Sequence, residues 1–120
     1  MAYWKEGLMK IAGMIDDLFF STKLREIAQS LESEATVCQS AETVPRDVAR
    51  IFVDLSATKF DPIAEITKLK KTVPSIPVTA FVSHVQIDMK ERAEKAGADE
   101  VVPRSAFAQR LAETIRNKSA

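Results

Sequence analysis

Three carboxylates in this chain stand where chemistry needs them: the adjacent pair Asp16 and Asp17, and the single Asp54, each at the end of a short apolar run. Two further apolar runs end in Ser83 with His84 and in Arg104. Carboxylates that share a partly buried site repel one another, and burial sharpens the repulsion. Such a cluster needs a compensating charge. A hard cation such as Mg²⁺ suits one or two carboxylates together with water and a phosphoryl group, and a nearby arginine meets the same need. The set therefore reads either as a cation-dependent phosphoryl-acceptor centre or as a carboxylate cluster held by Arg104. Each residue alone has a plainer reading. Asp16 or Asp17 can cap a helix, Ser83 can do the same, and His84 and Arg104 can be surface residues. Their shared position, after every strand but the second, is what points to a site.

The elements that must position these residues follow from hydropathy. Residues 9–15 form an apolar run too short for a buried helix, and read as a strand. Phe20, Leu24, Ile27 and Leu31 then recur at helical spacing. Residues 35–38 read as a second strand, with Cys38 a buried strand residue. Pro45 leaves room for only a short helix in the segment that follows. Residues 51–53 run straight into Asp54. Asp61 and Pro62 have the types of an N-cap and first helical residue, opening a helix with Ile63, Ile66, Leu69 and Val73 inside. Residues 78–82 form a fourth strand. Ser83 and Gln86 have capping-box spacing before a helix bearing Val85, Met89, Ala93 and Ala96, and Gly97 is its natural stop. Residues 100–102 form a fifth strand. Ser105 can cap a last helix faced by Phe107, Leu111 and Ile115.

Strands apolar on both faces, alternating with amphipathic helices, predict a doubly wound parallel α/β sheet of five strands with right-handed crossovers. In such sheets ligands gather at the C-terminal strand ends, near the switch in strand order, and that edge carries Asp16, Asp17, Asp54, Ser83, His84 and Arg104. The length of 120 residues suits a single domain over 8–118 behind a leader at 1–7. The 17 basic residues balance the 17 acidic ones, which gives no support to nucleic-acid or membrane partners. One cysteine excludes an internal disulfide, and no apolar run approaches a membrane span, so a cytoplasmic location is expected. One histidine and no glycine-rich phosphate loop argue against a small-molecule enzyme.

The Asp16-Asp17 pair, the run Phe52-Val53-Asp54-Leu55, Asp61 at its distance beyond, the fourth strand from Ile76 to Phe81, and the turn Ala96-Gly97-Ala98-Asp99 together resemble the response-regulator receiver domains, the CheY-like domains of two-component phosphorelays. The similarity spans about residues 8–117. It implies the flavodoxin-like (βα)5 fold with strand order 2-1-3-4-5. It also implies a stand-alone signalling domain in which Asp54 accepts a phosphoryl group from a histidine kinase or phosphotransfer protein. Mg²⁺ would be held by Asp16, Asp17, Asp54 and the Ser56 carbonyl, and no catalysis is implied beyond self-phosphorylation and dephosphorylation. The family's conserved lysine falls on Arg104, and its following proline on Ser105. The switch hydroxyl falls on Val82, with Ser83 one place later, and the switch aromatic falls on Val101. These departures define the alternative: a phosphorylation-independent pseudo-receiver that binds a protein partner or dimerises.

Overall fold

A computed structural model describes residues 9–84 and 86–116 of the chain; the leader at 1–7, Val85 and residues 117–118 of the expected domain lie outside them. Five strands form one parallel sheet: β1 (Lys10–Met14), β2 (Glu34–Cys38), β3 (Arg50–Asp54), β4 (Val78–Val82) and β5 (Glu100–Pro103), in the order β2-β1-β3-β4-β5. Helices α1 (Leu18–Ser30), α2 (Pro62–Thr72) and α3 (Ile87–Ala96) lie in the connections between strands, and α4 (Phe107–Arg116) follows β5. The order reverses between β1 and β3, so the chain enters the two halves of the sheet from a single central crevice. None of the described helices is long and apolar enough to cross a membrane.

Side chains alternate across each strand and feed two cores. Ile11, Phe52 and Phe81 face α1 and α4, where they meet Leu24, Phe107 and Leu111. Ala12, Val53, Val78 and Ala80 face α2 and α3, where they meet Ile66, Leu69 and Ala93. By the same alternation Asp54, two residues beyond Phe52, falls on the α1/α4 side. Burial on both faces explains why these strands read as continuous apolar runs.

Helix ends follow local chemistry. Asp17 caps α1 by accepting from Phe20 N–H at 3.2 Å, and Asp61 caps α2 by accepting from Ala64 N–H at 3.2 Å, with Pro62 first in the helix. Gly97 ends α3 in the left-handed region (φ 119°), which glycine adopts without a Cβ penalty. Two expected caps do not form. Helix α3 begins at Ile87, with Gln86 as a cap that makes no side-chain bond, and Ser83 stays exposed in the bend after β4. Ser105 lies inside a 3-10 turn (Arg104–Ala106) that leads directly into α4, so it caps nothing. The second crossover carries only a 3-10 turn (Ala41–Thr43), ahead of Pro45, in place of a full helix.

Aromatic rings knit the α1/α4 core. Phe107 lies 4.7 Å from Phe81 and 5.5 Å from Phe52, centroid to centroid, and is 1% exposed. Truncating it removes three aromatic contacts and opens a cavity under the sheet. Phe107→Ala is expected to cost about 3–5 kcal/mol of stability, read as a lowered denaturation midpoint in urea at unchanged slope. A loss below about 1 kcal/mol would mean that the ring does not hold the two layers together.

Candidate functional site

The polar residues at the C-terminal sheet edge divide into a buried centre and an exposed fringe. Asp54 is the last residue of β3, between β1 and β4 in the middle of the sheet, and is 1% exposed. Its Oδ1 accepts from Ser56 N–H at 2.9 Å, and its Oδ2 accepts from Arg104 Nη2 at 3.0 Å. Arg104 comes from the turn after β5, 50 residues away in sequence, and its side chain is 24% exposed. Its guanidinium carbon lies 4.2 Å from the centroid of the Phe20 ring on α1. A planar guanidinium can pair with a carboxylate at its rim while resting on an aromatic face, an arrangement a lysine ammonium cannot reproduce. The Nε of Arg104 is buried without a hydrogen-bond partner.

Asp16 is only half-buried, and its Oδ2 accepts from Thr58 N–H and Lys59 N–H, both at 2.8 Å. These donors, that of Lys59 foremost, hold its carboxyl below the ordinary range. Asp16 thereby fastens the loop after β3 to the loop after β1. Asp17, half-buried, is committed to the α1 cap. Asp54 moves the other way. Burial pushes its carboxyl up; the Ser56 amide and Arg104 oppose this without cancelling it, and the Asp16 charge adds to the rise.

Of the residues singled out by sequence, Asp54 and Arg104 are brought into direct contact, with Asp16 near enough to be felt electrostatically. Ser83 and His84 are exposed, and among the described residues no hydrogen bond joins Ser83 to Asp54. Val82 packs into the α2/α3 core, on the other face of the sheet. Phe20 was legible only as a core-facing residue of α1; nothing in its spacing marks it as the seat of Arg104.

The donor types suit a hard cation, but their arrangement does not present one with a ligand set. Both Asp54 oxygens are engaged, Asp16 Oδ2 accepts twice, and Asp17 Oδ1 accepts from its helix. Among the described residues no three Asp, Glu, His or Cys side chains converge as metal ligands. The compensating charge present at the site is Arg104.

No protein-family model matches the sequence, and no curated protein matches it. Solved structures do. A CheY-like receiver domain protein from Methanospirillum hungatei JF-1 superposes with a TM-score of 0.78 at 17% identity, covering 92% of this chain and 93% of that one. The chain has the receiver fold. The BeF3-activated DrrB receiver domain gives 0.76 at 17% identity (92% and 96% covered). The phosphorylated cyanobacterial phytochrome response regulator RcpA gives 0.71 at 16% identity (93% and 91% covered). Within the receiver fold, strand order 2-1-3-4-5 stands as expected from the sequence.

The raised Asp54 carboxyl has a signed consequence. The folded protein holds this proton more tightly than the unfolded chain, so ionising Asp54 opposes folding. That penalty is absent below the unfolded value of about 3.9 and is complete once pH has passed the higher folded value. Asp54→Asn should therefore gain stability relative to the unmutated protein as pH rises from about 4 through that interval, whatever the offset between them at low pH. Urea titrations of both proteins across the acid range test this. A difference independent of pH would show that Arg104 and Ser56 fully offset the burial.

Proposed function

We propose that this domain is a receiver-type signalling module that works through protein–protein contact without phosphorylation, its central carboxylate held by Arg104 rather than by a metal. The observation that carries this reading is the state of Asp54: 1% exposed, with one oxygen on a backbone amide and the other on a guanidinium. An acceptor carboxylate must present a lone pair in line with an incoming phosphoryl group, and here the group is shut from solvent with each oxygen already accepting one hydrogen bond. The exposed Ser83, the inward Val82, and Val101 at the family's aromatic position agree with a domain that does not use the receivers' hydroxyl–aromatic switch. A downstream protein, or a second copy of the chain, is the partner class that suits the module; the balanced charge gives no support to nucleic acid.

A second reading rests on a different observation. Asp16, Asp17 and Asp54 all lie at one sheet edge, and two of the similar structures are described as BeF3-activated and phosphorylated. In that reading Asp54 accepts a phosphoryl group from a histidine kinase or phosphotransfer protein, with Mg²⁺ at Asp16, Asp17, Asp54 and the Ser56 carbonyl. It requires Asp54, now paired with Arg104, to be opened to the incoming group.

Titration with Mg²⁺ and beryllofluoride, followed in the amide spectrum with Asp54→Asn as control, separates the two. The expected result is that Asp16, Asp17, Asp54 and Ser56 do not respond at millimolar cation, where water-retaining Mg²⁺ sites normally fill. Shifts at those residues that disappear in Asp54→Asn would sink the interaction-module reading and establish phosphoryl acceptance.

A further inference from the structure

We infer that Arg104 is a positioning residue that ties Asp54 to the first turn of α1, so that the charge on Asp54 sets the geometry of the Leu18–Phe19 surface. The inference deepens the proposal above, since it gives the retained Asp54 work to do without a phosphoryl group. It rests on a continuous series of contacts. Asp54 Oδ2 holds Arg104 Nη2 at 3.0 Å. The guanidinium lies over the Phe20 ring, 4.2 Å from its centroid. Phe20 meets Phe19 edge-on, with ring centroids 5.1 Å apart. Phe19 is 65% exposed, as is its neighbour Leu18 at 79%. The path from a buried carboxylate to an exposed apolar turn thus crosses three side-chain contacts.

The chemistry of the middle link makes the path responsive. Arg104 Nε is buried and unpartnered, so the pair with Asp54 is what orients the head group over the ring. Backbone anchoring comes immediately afterwards, at the buried Phe107 that starts α4, so the side chain can change direction without disturbing the turn that carries it. Phe20 in turn is held from below by Phe81 and Phe107, each 5.9 Å away. The core bounds the ring through Phe81 and Phe107, Phe19 meets it edge-on, and Arg104 covers a face. Neutralising Asp54 removes the charge that strengthens its hold on the guanidinium, and the face of Phe20 that Arg104 covers is loosened. This route runs to α1, whereas Val82 lies in the opposite core.

The test follows the ring of Phe20 and the methyls of Leu18 by NMR, with the methyls of Ile66 and Leu69 in the opposite core as internal controls. Asp54→Asn and Arg104→Ala should move the same Phe20 and Leu18 signals, leave Ile66 and Leu69 in place, and produce no more change together than either does alone. Arg104→Lys retains the charge but not the planar face, and should move Phe20 as Arg104→Ala does. Unchanged Phe20 and Leu18 signals in Asp54→Asn, or effects that simply sum in the double variant, would overturn the coupling. A beryllofluoride response in the unmutated protein would overturn the interaction-module reading and leave this coupling standing, so the two can fail separately.

Discussion

A carboxylate at the end of the central strand, shut from water, must be answered from within the protein, and the arrangement of this sheet edge follows from that need. An unpaired buried charge costs several kcal/mol or takes up a proton. Here the answer is the Ser56 amide on one oxygen and Arg104 on the other. Arg104 reaches Asp54 from the 3-10 turn that follows β5. That turn places Phe107 under the sheet and launches α4. The Arg104 side chain then needs a surface for its apolar plane, which Phe20 supplies. One electrostatic demand is thereby met by contributions from β3, β5, α1 and the start of α4.

The opposite edge of the sheet solves a similar problem with a more extended set of pairs. Arg50 donates to Thr79 at 2.7 Å, Thr79 donates to Glu100 at 2.8 Å, and Arg110 of α4 reaches Glu100 at 3.2 Å. Asp99 accepts from Val78 N–H and from Lys70. These groups join the starts of β3, β4 and β5 to α2 and α4. The fold separates an end that fixes the layers from an end whose charges can be rearranged, which is how α/β sheets generally divide stability from function.

How much of this was legible depended on range in sequence. Asp61-Pro62 and Gly97 announce helix ends through chemistry confined to a few residues, and the structure uses them so. The strands were readable because burial on both faces leaves only apolar residues. Ser83 and Gln86 had the right spacing for a cap, but the helix begins at Ile87, beyond the reach of Ser83. The pairing of Asp54 with Arg104 was legible only through topology, and sequence left the choice between cation and arginine open. Two features had no sequence signal. The amides of Thr58 and Lys59 that hold Asp16 depend on a loop conformation, and the seat of Arg104 on Phe20 depends on how two helices meet above the sheet.

The shortened second crossover has a consequence of a different kind. Strand β2 lies at the edge of the sheet and pairs with β1 alone. Helix α1 covers one of its faces, but the other has a single 3-10 turn where β3 and β4 have full helices on both sides. Fewer contacts must be broken to open β2 than any strand inside the sheet, so its amides belong to a unit of lower local stability. Hydrogen exchange should therefore enter the sheet from its edges, β2 among them, and reach β3 last. Asp54, at the end of central β3, sits in the slow-exchanging part, whereas Arg104 reaches it from beside the edge strand β5.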